Sequence, residues 1–445
     1  MMNNKIDKAL KVACDTKALL IGSGVLSQVT PIFKKQFPGK KAIIIADTNT
    51  FAAAGKRVSE YLRQDNVEQD DPFIFEAKGL YAEYNFVNIL IDYLHKTEAI
   101  PIAVGSGTIN DLVKLSSYLS GRRYMNVGTA ASVDGYTAYG ASITKDGAKQ
   151  TFSCQAPLAW LGDTDIICQA PAEMAASGYA DLFAKVPAGA DWILSEALGI
   201  EPIDRNIWDM VQDCLPKALG NPQAIRTRNP QAIGDLVEGL ILSGFAMQAY
   251  RSSRPASGAD HQFSHLWNME HHMNHCQPIS HGFQVAIGTL ASTAMYEVAL
   301  QWPIEKLNID ACCKAWPEIN TLGKEALALF ADTDFPAIGK EETAAKYIDK
   351  KHLAVQLQLL KDKWPELKEQ LAAQLVPFND LKTRLKHVGA PVEPEEIGVT
   401  RPYLRQSYVR AQYIRRRFTI LDLAVRTNNM ENWLNILLGE NGFWQ

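Results

Sequence analysis

Ile102-Ala103-Val104-Gly105-Ser106-Gly107-Thr108-Ile109-Asn110-Asp111-Leu112-Val113-Lys114 runs from a short apolar stretch through a glycine-rich turn into a segment of helical spacing. Ile102 to Val104 is too short for a helix and reads as a buried strand. Asn110 to Leu119 repeats apolar residues every three or four positions and reads as the helix that follows. The same unit recurs on either side. Ala18 to Ile21 is a strand ending at Gly22-Ser23-Gly24, and Val25 to Phe37 is a helix stopped by Pro38-Gly39. Ala42 to Ala46 is a second strand with Asp47 at its carboxyl end, and Phe73 to Phe75 is a third. Asn85 to Lys96 is a helix, and Tyr124 to Val127 another strand. Strands alternating with helices predict a parallel sheet covered on both faces.

The pattern changes near Ser142. Ser142 to Thr144, a Lys145-Asp146-Gly147 turn and Gln150 to Phe152 predict a hairpin, and Leu158 to Leu161 one last strand. After Pro171 the spacing is almost wholly helical, with helices over Ala172 to Asp181, Asp191 to Leu198 and Pro230 to Tyr250. The charged, amphipathic stretch from Glu341 to Lys386 predicts a solvated helical layer. The expectation is an α/β domain over 1–165 and an α-helical domain over 166–445.

The chain has 445 residues, 47% of them hydrophobic, and a net charge of -4. That length admits large buried cores. No basic stripe points to nucleic acid. The start, Met1-Met2-Asn3-Asn4-Lys5, leads into a lysine-rich amphipathic segment rather than a signal core, and no apolar run reads as a membrane span. The seven cysteines are scattered without a CxxC, which suits a reducing cytoplasm. Cys276 reads as an incidental thiol.

Ligands of open parallel sheets bind at the carboxyl ends of strands. Gly105-Ser106-Gly107-Thr108 stands at such an end, where glycines let the backbone approach a pyrophosphate and a helix N-terminus offers N–H groups. A plain strand-to-helix turn reads the same way. Asp47 suits a ribose and repels a 2′-phosphate, a lean toward NAD over NADP, or it caps a helix. Thr129-Ala130-Ala131-Ser132-Val133-Asp134-Gly135 offers small and hydroxylated residues for a cofactor groove, with Asp134 toward substrate, or forms a turn.

His261 and His265 stand one helical turn apart in Ser257-Gly258-Ala259-Asp260-His261-Gln262-Phe263-Ser264-His265, and Ser257 is placed to cap that helix. His281 lies beside Gly282, and Asp181 and Lys185 are also four apart. Imidazoles with a carboxylate suit an open catalytic metal site, and a nearby lysine suits an anionic substrate. Spacing does not choose among the histidines: His271, His272 and His275 form a competing cluster on Asn268 to Pro278, which reads as a connecting loop.

Together these segments resemble the iron-containing alcohol dehydrogenases, metal-dependent polyol dehydrogenases that share a fold with dehydroquinate synthase. Within that group the likeness is to the glycerol-1-phosphate dehydrogenases, over nearly the whole chain. The family's cofactor motif matches Gly105 to Lys114, including Asp111, and its next loop matches Thr129 to Gly135. Its metal segments match Gly178 to Lys185, Asp260 to His265 and His281-Gly282, and its Asp-Trp pair matches Asp191-Trp192. Ser106, Ala180 and Asp260 depart from the residues usual there. The resemblance implies a Rossmann-like N-terminal domain and an all-α C-terminal domain with the active site in the cleft between them. It implies Asp181, His261 and His281 as ligands of one divalent zinc, nickel or iron, with His265 behind the ligands or in contact with the substrate.

The activity that the resemblance implies is reversible reduction of dihydroxyacetone phosphate by NAD(P)H, giving sn-glycerol 1-phosphate. Asp134 or His265 relays the proton, and Lys185 and Arg254 are candidates for the phosphate. A polyol dehydrogenase without a phosphate site, a dehydroquinate-synthase-like lyase and a non-catalytic binding protein are the rivals. Asp181 in place of a glutamate ligand speaks against the lyase. The expected partner is a small-molecule substrate, with neither nucleic acid nor membrane, and the expected assembly is a homo-oligomer, a dimer first.

Overall fold

In a computed structural model of the chain, which describes residues 4–145 and 148–444, the sheet strands fall as the alternation predicts. They are β1 (Ala18–Gly22), β2 (Ala42–Asp47), β3 (Phe73–Phe75), β4 (Ile100–Gly105) and β5 (Met125–Gly128). β6 (Ala141–Lys145) and β7 (Ala148–Phe152) then pair antiparallel as the expected hairpin. Of its turn, Asp146 and Gly147 lie outside the described residues. β8 (Ala159–Asp163) ends the series.

The six-stranded sheet is parallel throughout, in the order β1-β8-β5-β4-β2-β3. β2 and β4 are neighbours from which the chain proceeds in opposite directions across the sheet, β2 to β3 and β4 to β5. The crevice outside their carboxyl ends is therefore the topological switch point where such sheets take ligands. The register Ile45↔Ala103 brings the ends of those two strands, Asp47 and Gly105, side by side. Ile43, Ile45 and Ala103 face one core and Ile44, Ile102 and Val104 the other, so both faces are buried.

The helices that matter for function are α1 (Gly107–Leu119), α2 (Ala172–Phe183), α3 (Lys185–Ala197), α4 (Pro230–Tyr250), α5 (Ala259–Met269) and α6 (His281–Gln301). Ala184 separates α2 from α3, so Asp181 and Lys185 do not share one regular helix as the spacing predicts. Among the described residues the remaining regular elements are helices, apart from a small hairpin, β9 (Met273–Asn274) with β10 (Gln277–Pro278), where the sequence reads as plain loop. The charged stretch after Glu341 includes the helix Lys350–Gln374, which buries Leu353, Leu357, Leu360, Trp364, Leu367 and Leu371 at helical spacing.

The chain packs as two compact units. One comprises Met1–Leu182 with Asn206–Ser253, and the other Phe183–Arg205 with Arg254–Gln445. α4 thus belongs to the unit that holds the sheet. By length and composition it is apolar enough to cross a membrane, a correction to the sequence reading, but 72% of its most apolar window is buried in the protein.

In the first unit, the loop from Thr129 to Gly140 is fastened from several directions. The buried Lys114 ammonium on α1 donates to the carbonyls of Gly135, Ala138 and Gly140 at 2.7, 3.1 and 3.0 Å. Thr137 donates to the Ile241 carbonyl of α4, and Gln248 to the Thr137 carbonyl. On α2, a Cβ at Gly178 would lie 2.1 Å from the Ala131 oxygen, so the helix rests directly on the loop backbone. Asp134 therefore stands on a loop anchored to α1, α2 and α4.

Candidate metal centre

α5 and α6 pack against each other in the second unit and carry His261 and His281. The ring centroids of His261 and His281 are 5.3 Å apart. Each ring is oriented through Nδ1. Asp260 Oδ2 accepts a short hydrogen bond from His261 Nδ1. Ser264 donates to Gln284 Oε1 at 2.9 Å, so its oxygen accepts from His281 Nδ1 at 3.2 Å. With Nδ1 protonated in both rings, Nε2 becomes the ligand nitrogen, and the polar partner behind each ring fixes tautomer and direction.

Asp181 lies on α2 and is fully buried. One of its oxygens, Oδ2, accepts the Asp134 backbone N–H at 3.0 Å. Asp181, His261 and His281 each offer one ligand atom, and those three atoms lie within 4.8 Å of one another. Two imidazole nitrogens and one carboxylate oxygen make a donor set that suits zinc, nickel or iron, with a coordination position left open for substrate. Ser264→Ala removes the partner of His281 without touching a ligand atom. We expect metal affinity to fall about 10- to 100-fold with the fold intact, measured by competition with a chromogenic chelator.

The N-terminus of α5 is not capped by Ser257. Gly258 occupies the cap position and makes no side-chain cap. Asp191 does the work instead. Its Oδ2 accepts the Ala259 N–H at 2.7 Å, while Oδ1 accepts the Ile420 N–H at 2.8 Å and the Tyr296 hydroxyl at 2.7 Å. Burial pushes this carboxyl up to about 7, against the lowering pull of Tyr296 and Ala259. A long-range carboxylate thus replaces the local hydroxyl, because Gly258 lets the chain approach it so closely that a Cβ there would lie 2.4 Å from Asp191 Oδ2.

Asp134 accepts the Ser243 hydroxyl at 2.8 Å and is buried. His265 is half-buried, its ring 6.2 Å from His261 and 6.4 Å from His281. Its Nε2 accepts from Arg415 at 3.0 Å, which leaves the ring proton on Nδ1. Lys185 opens α3 and is buried. Arg254 is buried and donates to the carbonyls of Asp191 (2.9 Å) and Phe418 (3.3 Å), with Nε 3.1 Å from Glu201. It fastens three segments to one another.

The second histidine cluster is used otherwise. His271 meets Asp334, and His272 Nε2 lies 2.8 Å from the Ile397 carbonyl. His275 and Cys276 form the two-residue turn of the β9–β10 hairpin, both with positive φ, and Cys276 is exposed.

At the sheet, Asp47 closes a capping box. Its Oδ1 accepts the N–H groups of Asn49 and Thr50, and Thr50 Oγ1 accepts the Asp47 N–H. Asp47→Ala is expected to cost about 1 kcal/mol in thermal unfolding, whereas Asp47→Asn keeps the cap. Ser106 precedes α1 without a side-chain cap, so the helix's first N–H groups point out at the switch point, as a pyrophosphate requires. Gly107 and Thr108 form the first turn, and Thr129 N–H bonds the Gly105 carbonyl at 3.1 Å. Asp111 Oδ2 accepts the Ser142 N–H at 3.2 Å, and Ser132 lies 3.2 Å from the Tyr136 hydroxyl. These residues fit a dinucleotide site.

Sequence reasoning passed over Ser264, Arg415 and Arg417. The signal for the last two was visible: Arg415-Arg416-Arg417 sits between apolar neighbours Tyr413-Ile414 and Phe418.

A model of the iron-containing alcohol dehydrogenase family matches residues 20–171. The glycerol-1-phosphate dehydrogenase [NAD(P)+] of Halalkalibacterium halodurans is 35% identical over 295 residues, 65% of this chain and 73% of that one. The enzyme of the same name from Geobacillus thermodenitrificans is 28% identical over 392 residues, 86% of either chain. Among solved structures, glycerol dehydrogenase from Schizosaccharomyces pombe superposes with a TM-score of 0.58 at 18% identity, covering 94% of this chain and 90% of that one. Maleylacetate reductase from Agrobacterium tumefaciens does so at 0.60 and 12%, covering 95% and 96%. The structures share the fold, and the sequence relatives carry the closer kinship: the chain belongs to the glycerol-1-phosphate dehydrogenase family of the iron-containing alcohol dehydrogenases.

Proposed function

We propose that this chain catalyses the reversible, NAD(P)H-linked reduction of dihydroxyacetone phosphate to sn-glycerol 1-phosphate, with one divalent zinc, nickel or iron held by Asp181, His261 and His281. The observation that carries the reading is the pair of histidines oriented through Nδ1, with their ligand atoms grouped with that of Asp181. Relatives named for this activity, [NAD(P)+]-dependent, support it. A metal bound there supplies a Lewis acid for the substrate carbonyl. A bound nicotinamide supplies the hydride.

The chain's own residues do the rest. Gly105, Ser106, Gly107 and Thr108 receive the pyrophosphate on the α1 N-terminus, and Asp111, Thr129 and Ser132 line the approach. Asp47 accepts a ribose hydroxyl, which favours NAD over NADP. Asp134, fixed through Ser243, and His265, with its proton on Nδ1, are the groups for proton transfer to the product oxygen. Lys185, buried at the start of α3, is the candidate ammonium for an anionic substrate. Arg254, through its carbonyl bonds, positions the segment around Phe418. A cytoplasmic setting fits seven cysteines that are all free, and a homodimer goes with it as the assembly to test by sedimentation.

The test is NADH oxidation with dihydroxyacetone phosphate and with dihydroxyacetone, on chelated enzyme reloaded separately with zinc, nickel and iron. Turnover of the phosphate ester that returns only with metal supports the reading. Preference for the free ketone makes the chain a polyol dehydrogenase, and silence with both overturns the proposal. Asp47→Asn is expected to raise NADPH use relative to NADH without loss of stability.

A further inference from the structure

The segment after the short helical turn Gln412–Ile414 carries Arg415, Arg416 and Arg417, and the three side chains take different directions. Arg416 is exposed and pairs with Glu342 at 2.6 Å. Arg415 and Arg417 are half-buried and turn toward α5. Arg415 Nη2 donates to His265 Nε2 at 3.0 Å. Arg417 Nη1 donates to the Ser257 carbonyl, just before α5, at 2.5 Å.

The backbone that presents them is pinned. Gln262 of α5 donates to the Arg417 carbonyl, Arg254 to the Phe418 carbonyl, and the Ile420 N–H to Asp191. Arg417 also feels the positive charges of Arg254 and Arg415. Burial first, then those two neighbours, push its guanidinium down to about 9 against the smaller raising pull of Glu201 and Asp260, so it stays charged at neutral pH. Burial also lowers Arg415. Crowding like charges away from water destabilises a folded chain, and groups arranged so concentrate at functional sites. A dianion brought to such a cluster relieves the repulsion, and guanidinium forks match phosphate oxygens in geometry.

We infer that Arg415 and Arg417 form the binding site for the phosphate monoester of the substrate, with His265 standing between Arg415 and the metal-ligand histidines. This rests on the proposed activity. His265 is within ring-contact range of both His261 and His281 on one side and bonded to Arg415 on the other. In this reading the ketone lies at the histidines and its ester phosphate on the arginine side of His265. Selectivity for the phosphorylated ketone over the free one then comes from a segment more than a hundred residues from the metal motif.

The experiment compares Arg415→Lys, Arg417→Lys and Arg417→Met with Arg416→Met as control. Two readouts are used: steady-state kinetics with dihydroxyacetone phosphate and with dihydroxyacetone, and calorimetric titration of inorganic phosphate into the metal-loaded protein. We expect kcat/KM for the phosphate ester to fall on the order of 100-fold in Arg417→Met, mainly through KM, and discrimination against dihydroxyacetone to shrink with it. The lysine variants, which keep charge and lose the fork, keep the fold and fall less. Phosphate affinity falls in parallel, and Arg416→Met behaves as wild type in both assays. Wild-type phosphate affinity and an unchanged substrate ratio in folded Arg415→Lys and Arg417→Lys, with the same result in Arg417→Met, would overturn the inference while the proposed activity stands. If the wild type reduces no phosphorylated ketone, the activity fails by itself, and the titration still decides whether these arginines bind phosphate.

Discussion

Gly288→Ala is expected to weaken the protein by about 3 kcal/mol and to reduce its metal affinity at the same time. Gly288 lies in α6, and a Cβ there would sit 2.1 Å from the carbonyl oxygen of Asp260 and 3.0 Å from its carbonyl carbon. Both obstacles are backbone, so no side chain can swing aside. The helices must separate, and overpacking of that kind costs about 1–3 kcal/mol or more. What distinguishes this site from other tight contacts is its place. Asp260 is the residue that orients His261, while α6 carries His281 at its start. Moving α5 off α6 changes the distance between two ligand nitrogens that an ion requires within a few tenths of an ångström. Thermal unfolding with and without added metal measures both effects. Gly323→Ala is the control: it lies within the helix Ile319–Leu329, with no atom nearer than 3.5 Å to its Cβ, and is expected to gain about 0.4–1 kcal/mol. Equal behaviour of the two variants would refute the argument.

His261→Ala is expected to lower turnover about a thousandfold or more and to bring bound metal close to zero. The ring is one of two imidazoles in the ligand group, and losing it leaves one nitrogen and one carboxylate for the ion. A Lewis acid contributes several kcal/mol to carbonyl reduction, and each ~1.4 kcal/mol is tenfold in rate. The substitution also leaves Asp260, which is fully buried, without its Nδ1 partner. Some stability is therefore expected to be lost even in metal-free protein, since a buried carboxylate deprived of a donor is costly. Metal content by mass spectrometry, with circular dichroism on the same sample, separates the two consequences. A variant that keeps full metal content and full activity would remove His261 from the ligand set.

The two variants differ in what they disturb. His261→Ala deletes a donor and leaves the helices in register. Gly288→Ala leaves every donor in place and displaces the helix that presents one of them. Excess metal is expected to recover part of the activity of Gly288→Ala, because binding to the folded state offsets a modest destabilisation. It is not expected to recover His261→Ala.

The parallel sheet and the histidine pair were legible in the chain because both are written in local spacing. Ala42 to Ala46 and Ile102 to Val104 are short apolar runs ending at Asp47 and Gly105, and a strand buried on both faces needs nothing more. His261 and His265 share a helix face by period alone. Other features leave no local trace. Ser257 looks like a cap, yet Asp191 from α3 takes that place, because contacts between segments override a local preference once Gly258 brings them together. Ser264 reads as an ordinary helical serine until α6 packs His281 against it. Arg415 is 150 positions from His265, and no period of 2 or 3.6 links them. Local order follows from neighbouring residues along the backbone, so the sequence alone yields the strands and the helices, and the choice of Asp181, His261 and His281 among the candidate ligands comes from the family resemblance. The partners that orient those ligands, and Arg415 beside His265, are set by packing between segments far apart in the chain, where the driving force is burial and the specificity lies in which buried polar atoms find one another.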